Sequence, residues 1–193
     1  MDCEFCVFHR AIVAQGQEIV NKAQKRPAAD GLTQSRDGIA DATKIRYYDD
    51  VRCLQIVLDT NVLVAALRSN LGAAFLLLSL IGRSAKFEIN LSIPFVMEYE
   101  DVTLRPDLLP KMSHTAITDI LGYLCTVGNQ RDIFFLWRPF LKDPKDDMVL
   151  EVAVEAECEY IVTFNQKDFM GVEQFGIQAL TPYQFLRRIG ELP

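Results

Sequence analysis

The sequence predicts an α/β protein built on a central, mostly parallel sheet of four to five strands with helices on both faces. Three observations carry that expectation. From Cys53 onward, short strand-forming runs alternate with helical stretches. The connections between successive strands are too long for hairpins, which implies crossovers between parallel neighbours. The longest greasy stretch, Ala73 to Ile81, falls well short of the ~20 apolar residues needed to cross a bilayer, so no membrane association is expected. Parallel crossovers are right-handed, so strand ends of like polarity line up along one edge of the sheet.

The elements follow in order. Leu54 to Asp59 reads as a first strand, followed by a helix from Asn61 to Arg68 and a second apolar helix from Ala73 to Gly82. Phe87 to Leu91 alternates and reads as strand. Ser92 has the chemistry of a helix cap, with Pro94 in the first turn of a helix to Leu104. Pro106 and Pro110 punctuate a loop, after which Ser113 caps a helix to Val127 that Gly128 ends. Ile133 to Leu136 reads as a short strand, Asp146 to Cys158 as a helix, and Tyr160 to Thr163 and Ile177 to Leu180 as the last strands. Thr181-Pro182 opens a final helix to Arg188. Residues 1–50 differ: their periodicity is weak and their middle polar, with one short amphipathic segment from Ala11 to Ala23. They are expected to be an N-terminal extension, partly disordered or an overextended start, ahead of a domain over residues 51–193.

Composition narrows the function. The 193 residues are 50% hydrophobic and 24% charged, the globular norm, with a net charge of −6. That charge argues against a general nucleic-acid coat protein, which carries a basic surface. It leaves a nuclease open, because carboxylates at an active site lower the formal charge and bound divalent ions restore it locally. The five cysteines are odd in number and scattered, and Asp2 and Glu4 stand where a signal peptide needs positive charge. A reduced, cytoplasmic protein is expected. Cys3, Cys6 and His9 invite a zinc reading, but a structural site needs four ligands and the remaining supply is poor, so the cluster is read as incidental.

The acids carry the chemistry. Asp59 ends the first strand where a helix begins, at the edge where open α/β sheets bind ligands. A second cluster, Asp143-Pro144-Lys145-Asp146-Asp147, opens the best helix of the C-terminal half, and Asn165 and Asp168 follow the next strand. The topology predicts that these positions meet in space. Carboxylates gathered without a cation repel and raise one another's pKa values; Mg²⁺ or Mn²⁺, which favour oxygen ligands, relieve that repulsion.

Leu58-Asp59-Thr60-Asn61-Val62, the Asp143-to-Asp147 cluster with its helix, and Val162-Thr163-Phe164-Asn165 with Lys167-Asp168-Phe169 together resemble the PIN domains. These are metal-dependent ribonucleases, and many prokaryotic members are VapC-like toxins of type II toxin–antitoxin systems. The resemblance covers roughly residues 54 to 185. It implies a three-layer α/β/α PIN-like fold and an Mg²⁺- or Mn²⁺-dependent endoribonuclease leaving 5′-phosphate and 3′-hydroxyl ends. Carried over, the metal-binding acids are Asp59, Glu98 and Asp147, with Asp168 as a fourth, and Asn61, Thr163 and Asn165 orient them. The family's fourth position is usually an Asp, and here it is Asn165. Of the adjacent acids, Asp147 takes the ligand role; Asp146 takes that of complementing the helix dipole, worth roughly 0.3–1 kcal/mol. The resemblance further implies an RNA substrate, a cognate antitoxin protein and a homodimer. Arg68, Arg105 and Arg131 are candidates for phosphate contacts that nothing in the sequence separates from ordinary surface charges. A non-catalytic PIN-fold binding module, motivated by Asn165, stands as the alternative. A phosphoacceptor role for Asp59 ranks below it, since no Asp-x-Asp arrangement surrounds that residue.

Overall fold

Ile56, Val57 and Leu58 are fully or nearly fully buried, so consecutive residues of one strand face apolar surroundings on both sides. That is the signature of a parallel strand covered by helices above and below. The strand, β1 (Leu54–Leu58), is the centre of a five-stranded, wholly parallel sheet in a computed structural model that describes residues 53–193. The proposed extension, its Ala11-to-Ala23 segment and the Cys3–Cys6–His9 cluster lie outside the described residues. Helices flank the sheet on both faces, giving the expected three-layer α/β/α arrangement.

After β1 come α1 (Thr60–Arg68), α2 (Ala73–Leu80), β2 (Phe87–Leu91), α3 (Ile93–Thr103), α4 (His114–Val127) and β3 (Asn129–Gln130). The second half supplies α5 (Asp146–Glu155), β4 (Tyr160–Val162), two 3₁₀ turns (Gln166–Phe169 and Val172–Phe175), β5 (Gln178–Leu180) and α6 (Pro182–Arg188). The strand order is β3-β2-β1-β4-β5. The chain therefore winds outward from β1 on one side and from β4 on the other. Connections leaving these two central strands diverge, which opens a crevice beyond their carboxyl ends. Register places Leu58 opposite Val162, so the residues that follow, Asp59 and Thr163, emerge side by side.

Local chemistry explains most boundaries. Ser113 accepts a hydrogen bond from the Ala116 amide, and Thr181 forms a capping box with Gln184 behind Pro182. Gly128 ends α4 with φ −85°, so no left-handed turn is involved. A Cβ there would lie 2.8 Å from the Leu124 carbonyl oxygen and 3.0 Å from a Leu91 methyl, so close approach is what requires glycine. Ser92 stands at the cap position of α3 but its hydroxyl makes no capping bond; among the described residues it is buried without a hydrogen-bond partner.

One expected strand is displaced. Ile133 to Leu136 is not paired; the edge strand is the two-residue β3, and the chain leaves the sheet at Arg131. Phe134, Phe135 and Leu136 are exposed. Their strand propensity finds no ladder because the following segment is pulled toward α5. Glu151, buried on α5, accepts from the Trp137 amide (3.1 Å) and from Arg138 Nε and Nη2 (2.9 and 2.8 Å). Among the described residues no single helix is long and apolar enough to cross a membrane; α1 and α2 pass such a test only as a pair bent by 102°.

Candidate active site

Asp59 caps α1 from the end of β1. Its backbone N–H completes the β1–β4 ladder to the Val162 carbonyl (2.9 Å), which fixes the residue between the two central strands. Its side chain accepts from the Asn61 amide at 3.4 Å through Oδ1, a long cap. Oδ2 takes two short bonds, from Asn61 Nδ2 and Thr163 Oγ1, each 2.6 Å. Asn61 in turn accepts from the Phe164 amide (3.2 Å), and Thr163 Oγ1 accepts from the Asn165 amide (2.9 Å). A carboxylate with one oxygen saturated and the other lightly held is oriented to offer Oδ1 to a ligand. Asn61 and Thr163 thus lie against Asp59 as anticipated. Burial pushes the Asp59 carboxyl upward, opposed by the Thr163 and Asn61 bonds; the nearby Asp168 charge adds to the rise.

Glu98 comes from α3. Tyr99, its fully buried neighbour, donates its hydroxyl to the Leu58 carbonyl and so pins this helix beneath the end of β1. Thr60 Oγ1 donates to Glu98 Oε1 at 3.2 Å, linking the first turn of α1 to the second acid. Burial raises the Glu98 carboxyl; the Thr60 bond lowers it, and the Asp59 charge raises it again.

The third acid is Asp146. It borders a cleft of about 580 Å³ together with Asp59, Thr60, Asn61, Val64, Glu98, Arg68 and Asn165. Half-buried, and surrounded by Asp59, Asp143, Asp168 and Glu98, its carboxyl is pushed up to about 7, mainly by burial and then by those negative charges. Asp147, the residue chosen from the sequence, is fully buried and turned away from the cleft lining. It accepts from the backbone amides of Leu141 (2.8 Å) and Phe140 (3.3 Å), clamping the loop that leads into α5. Of the adjacent pair the structure brings Asp146 to the cleft, while Asp147 holds the preceding loop. Asp168 sits in the first 3₁₀ turn, half-buried; it does not line the cleft, and it acts there through its charge on Asp59 and Asp146. Asn165 is exposed on the cleft wall.

Among the described residues, no group of three or more His, Cys, Asp or Glu side chains is placed to hold a metal ion by itself. The three acids facing the cleft offer carboxylate oxygens, and the Asp59 charge raises the carboxyls of both Glu98 and Asp146. Mg²⁺ is ordinarily held by one or two carboxylates with water and substrate oxygens, so an open donor set of this kind fits it and fits Mn²⁺ equally.

A family model described as PIN domain matches residues 55–167, more than half of the chain. The chain belongs to the PIN domain family. No curated protein and no solved structure matches it. The PIN domains are typically metal-dependent nucleases, and membership suggests nuclease activity in general terms. In this PIN domain Asp59, Asn61 and Thr163 form one hydrogen-bonded unit at the switch point of the sheet, with Glu98 and Asp146 facing it from α3 and α5.

Proposed function

We propose that this PIN domain is an Mg²⁺- or Mn²⁺-dependent endoribonuclease and the VapC-like toxin of a type II toxin–antitoxin pair. The observation that supports the nuclease reading is the convergence of Asp59, Glu98 and Asp146 on one cleft at the carboxyl edge of the central strands. A divalent ion there supplies Lewis acidity toward a phosphodiester and makes a water more acidic. Asp59 Oδ1, Glu98 and Asp146 are the side chains that would hold it. Asn61 and Thr163 keep Asp59 in place, Thr60 keeps Glu98 in place, and the side-chain amide of Asn165 on the wall can donate to a phosphate oxygen.

The cleft lining holds no cysteine, serine or histidine, and the Thr60 hydroxyl is committed to Glu98. With the carboxylates of Asp59, Glu98 and Asp146 assigned to the ion, water is favoured as the attacking group. The toxin role, a small antitoxin laid over the acidic rim and a homodimer rest on the VapC-like resemblance alone, and a cytoplasmic location on the scattered cysteines and acidic N-terminus. The decisive assay incubates structured and unstructured RNA with the protein, with and without Mn²⁺, beside Asp59→Asn. Cleavage that needs both Mn²⁺ and Asp59 supports the reading; equal cleavage by the variant rejects it.

A second reading is favoured by one observation. Asn165 presents a neutral amide where the family usually has an acid, and no closed ligand set surrounds it. On that reading the domain binds RNA or protein without cutting. Absence of any heat or thermal stabilisation on titration with Mn²⁺ would select it.

A further inference from the structure

Three arginines are indistinguishable in the sequence as phosphate contacts, and the structure separates them. Arg105 is ion-paired to Asp101 at 2.6 Å, and Arg131 Nε is bound to Asn90 at 2.9 Å. Arg68 makes no hydrogen bond or ion pair among the described residues, is exposed, and borders the acidic cleft. It also borders a second cavity, of about 450 Å³, between the end of α1 and the loop from Asp107 to Met112. Leu108 is common to both cavities, so they are parts of one trough.

The floor of that trough is a single helical face. Asn61, Val64, Ala65 and Arg68 follow one another at three- and four-residue spacing along α1, and all four border the acidic cleft. Asp59 stands at the start of this face and Arg68 at its end. Nine residues at about 1.5 Å per residue separate them by about 13 Å, within the span of the several nucleotides that single-strand grooves engage. The second cavity is walled by Leu67, Leu109, Pro110 and Met112, with the exposed Lys111 at its rim. Asp107 also borders it and is paired with neither Arg68 nor Lys111. An unpaired guanidinium beside a recess that joins leucine, proline and methionine side chains to the polar Ser69 and Asn70 is suited to a phosphate and the base attached to it. In a chain of net charge −6, a cationic exit from an acidic cleft is not a general basic surface.

The geometry points to a nucleotide subsite at the end of α1, where Arg68 binds a backbone phosphate of single-stranded RNA and the recess beside Lys111 receives an unstacked base. This rests on the nuclease reading for its orientation, since the strand runs from the acids toward Arg68. A duplex keeps its bases stacked and cannot fill the recess.

The test measures binding of a fluorescein-labelled, unstructured twelve-nucleotide RNA in EDTA by anisotropy. It compares the full-length protein with Arg68→Ala, Arg68→Lys and Lys111→Ala. Arg68→Ala is expected to weaken binding about tenfold and to reduce the slope of log affinity against log salt by about 0.7, the value for one phosphate contact on a single strand. Arg68→Lys should restore much of the affinity, because a point charge suffices for part of the contact. In parallel, Mn²⁺-dependent hydrolysis of bis(p-nitrophenyl) phosphate by the wild type reads the acidic end separately from the subsite. Unaltered affinity and salt slope would overturn the subsite. If the wild type does not hydrolyse the small substrate, the nuclease reading fails, and the anisotropy result alone decides the subsite.

Discussion

Adjacent aspartates in α5 should fail in opposite ways when altered. Asp147 is fully buried and receives the Leu141 amide at 2.8 Å and, less favourably, the Phe140 amide at 3.3 Å. A hydrogen bond to a charged acceptor contributes about 1.5–3 kcal/mol, and the longer second bond adds less. Asp147→Ala strands two amides, one of them on buried Leu141, so a loss of about 2–4 kcal/mol is expected. At about 3 °C per kcal/mol for a domain of this size, the melting temperature should fall by about 6–12 °C. Asp146→Asn relieves repulsion among Asp59, Asp143, Asp168 and Glu98, so it should leave the metal-free protein as stable as the wild type or slightly more so. It should abolish the rise in melting temperature that Mn²⁺ gives the wild type. Differential scanning calorimetry of both variants, with and without Mn²⁺, reads the two effects separately. A normal melting temperature for Asp147→Ala together with a lost Mn²⁺ response would refute the assignment of the loop clamp to Asp147 and the ion to Asp146.

Three further outcomes follow from the geometry. Glu151→Gln weakens its bonds to Arg138 and the Trp137 amide; with Arg138 half-exposed, the loss should be about 1–3 kcal/mol by urea denaturation. The metal-free protein should lose stability as pH rises: Asp146 holds its proton up to about 7 when folded but only to about 3.8 when unfolded, and Asp59 and Glu98 are raised too. The folded state therefore binds more protons between these values, its stabilisation is complete below the unfolded value, and it disappears through about pH 7; a flat melting profile from pH 5 to 8 in EDTA would contradict this. Asn165→Asp supplies a fourth carboxylate on the cleft wall and should tighten Mn²⁺ binding by at least about tenfold in a calorimetric titration, with no change or a decrease counting against a role for that wall.

The strand–helix alternation made the parallel sheet legible, and the identity of Asp59 followed from its place between an apolar strand and a helix. Asn61 and Thr163 were legible through the family resemblance, and they meet Asp59 because Asn61 opens α1 directly after β1 and Thr163 directly follows β4, the strand paired with β1. The Asp146–Asp147 pair was not. Val149 to Ala153 are buried without interruption, so α5 has no polar stripe to show which of two neighbouring acids faces out. Ile133 to Leu136 misled for a different reason: its residues favour strands, but whether an edge is within reach depends on Glu151 and Asp147 holding the following loop. Those two buried acids, one turn apart on α5, are tertiary anchors that resemble catalytic acids in a sequence.

Calorimetric titration of the full-length protein with Mn²⁺, beside Asp59→Asn, tests most directly whether the acids at the sheet edge grip a divalent ion. Saturable binding by the wild type, reduced at least about a hundredfold in Asp59→Asn while its melting temperature in EDTA stays at or above that of the wild type, is the predicted result. Equal binding by the two proteins, or none by either, would contradict it.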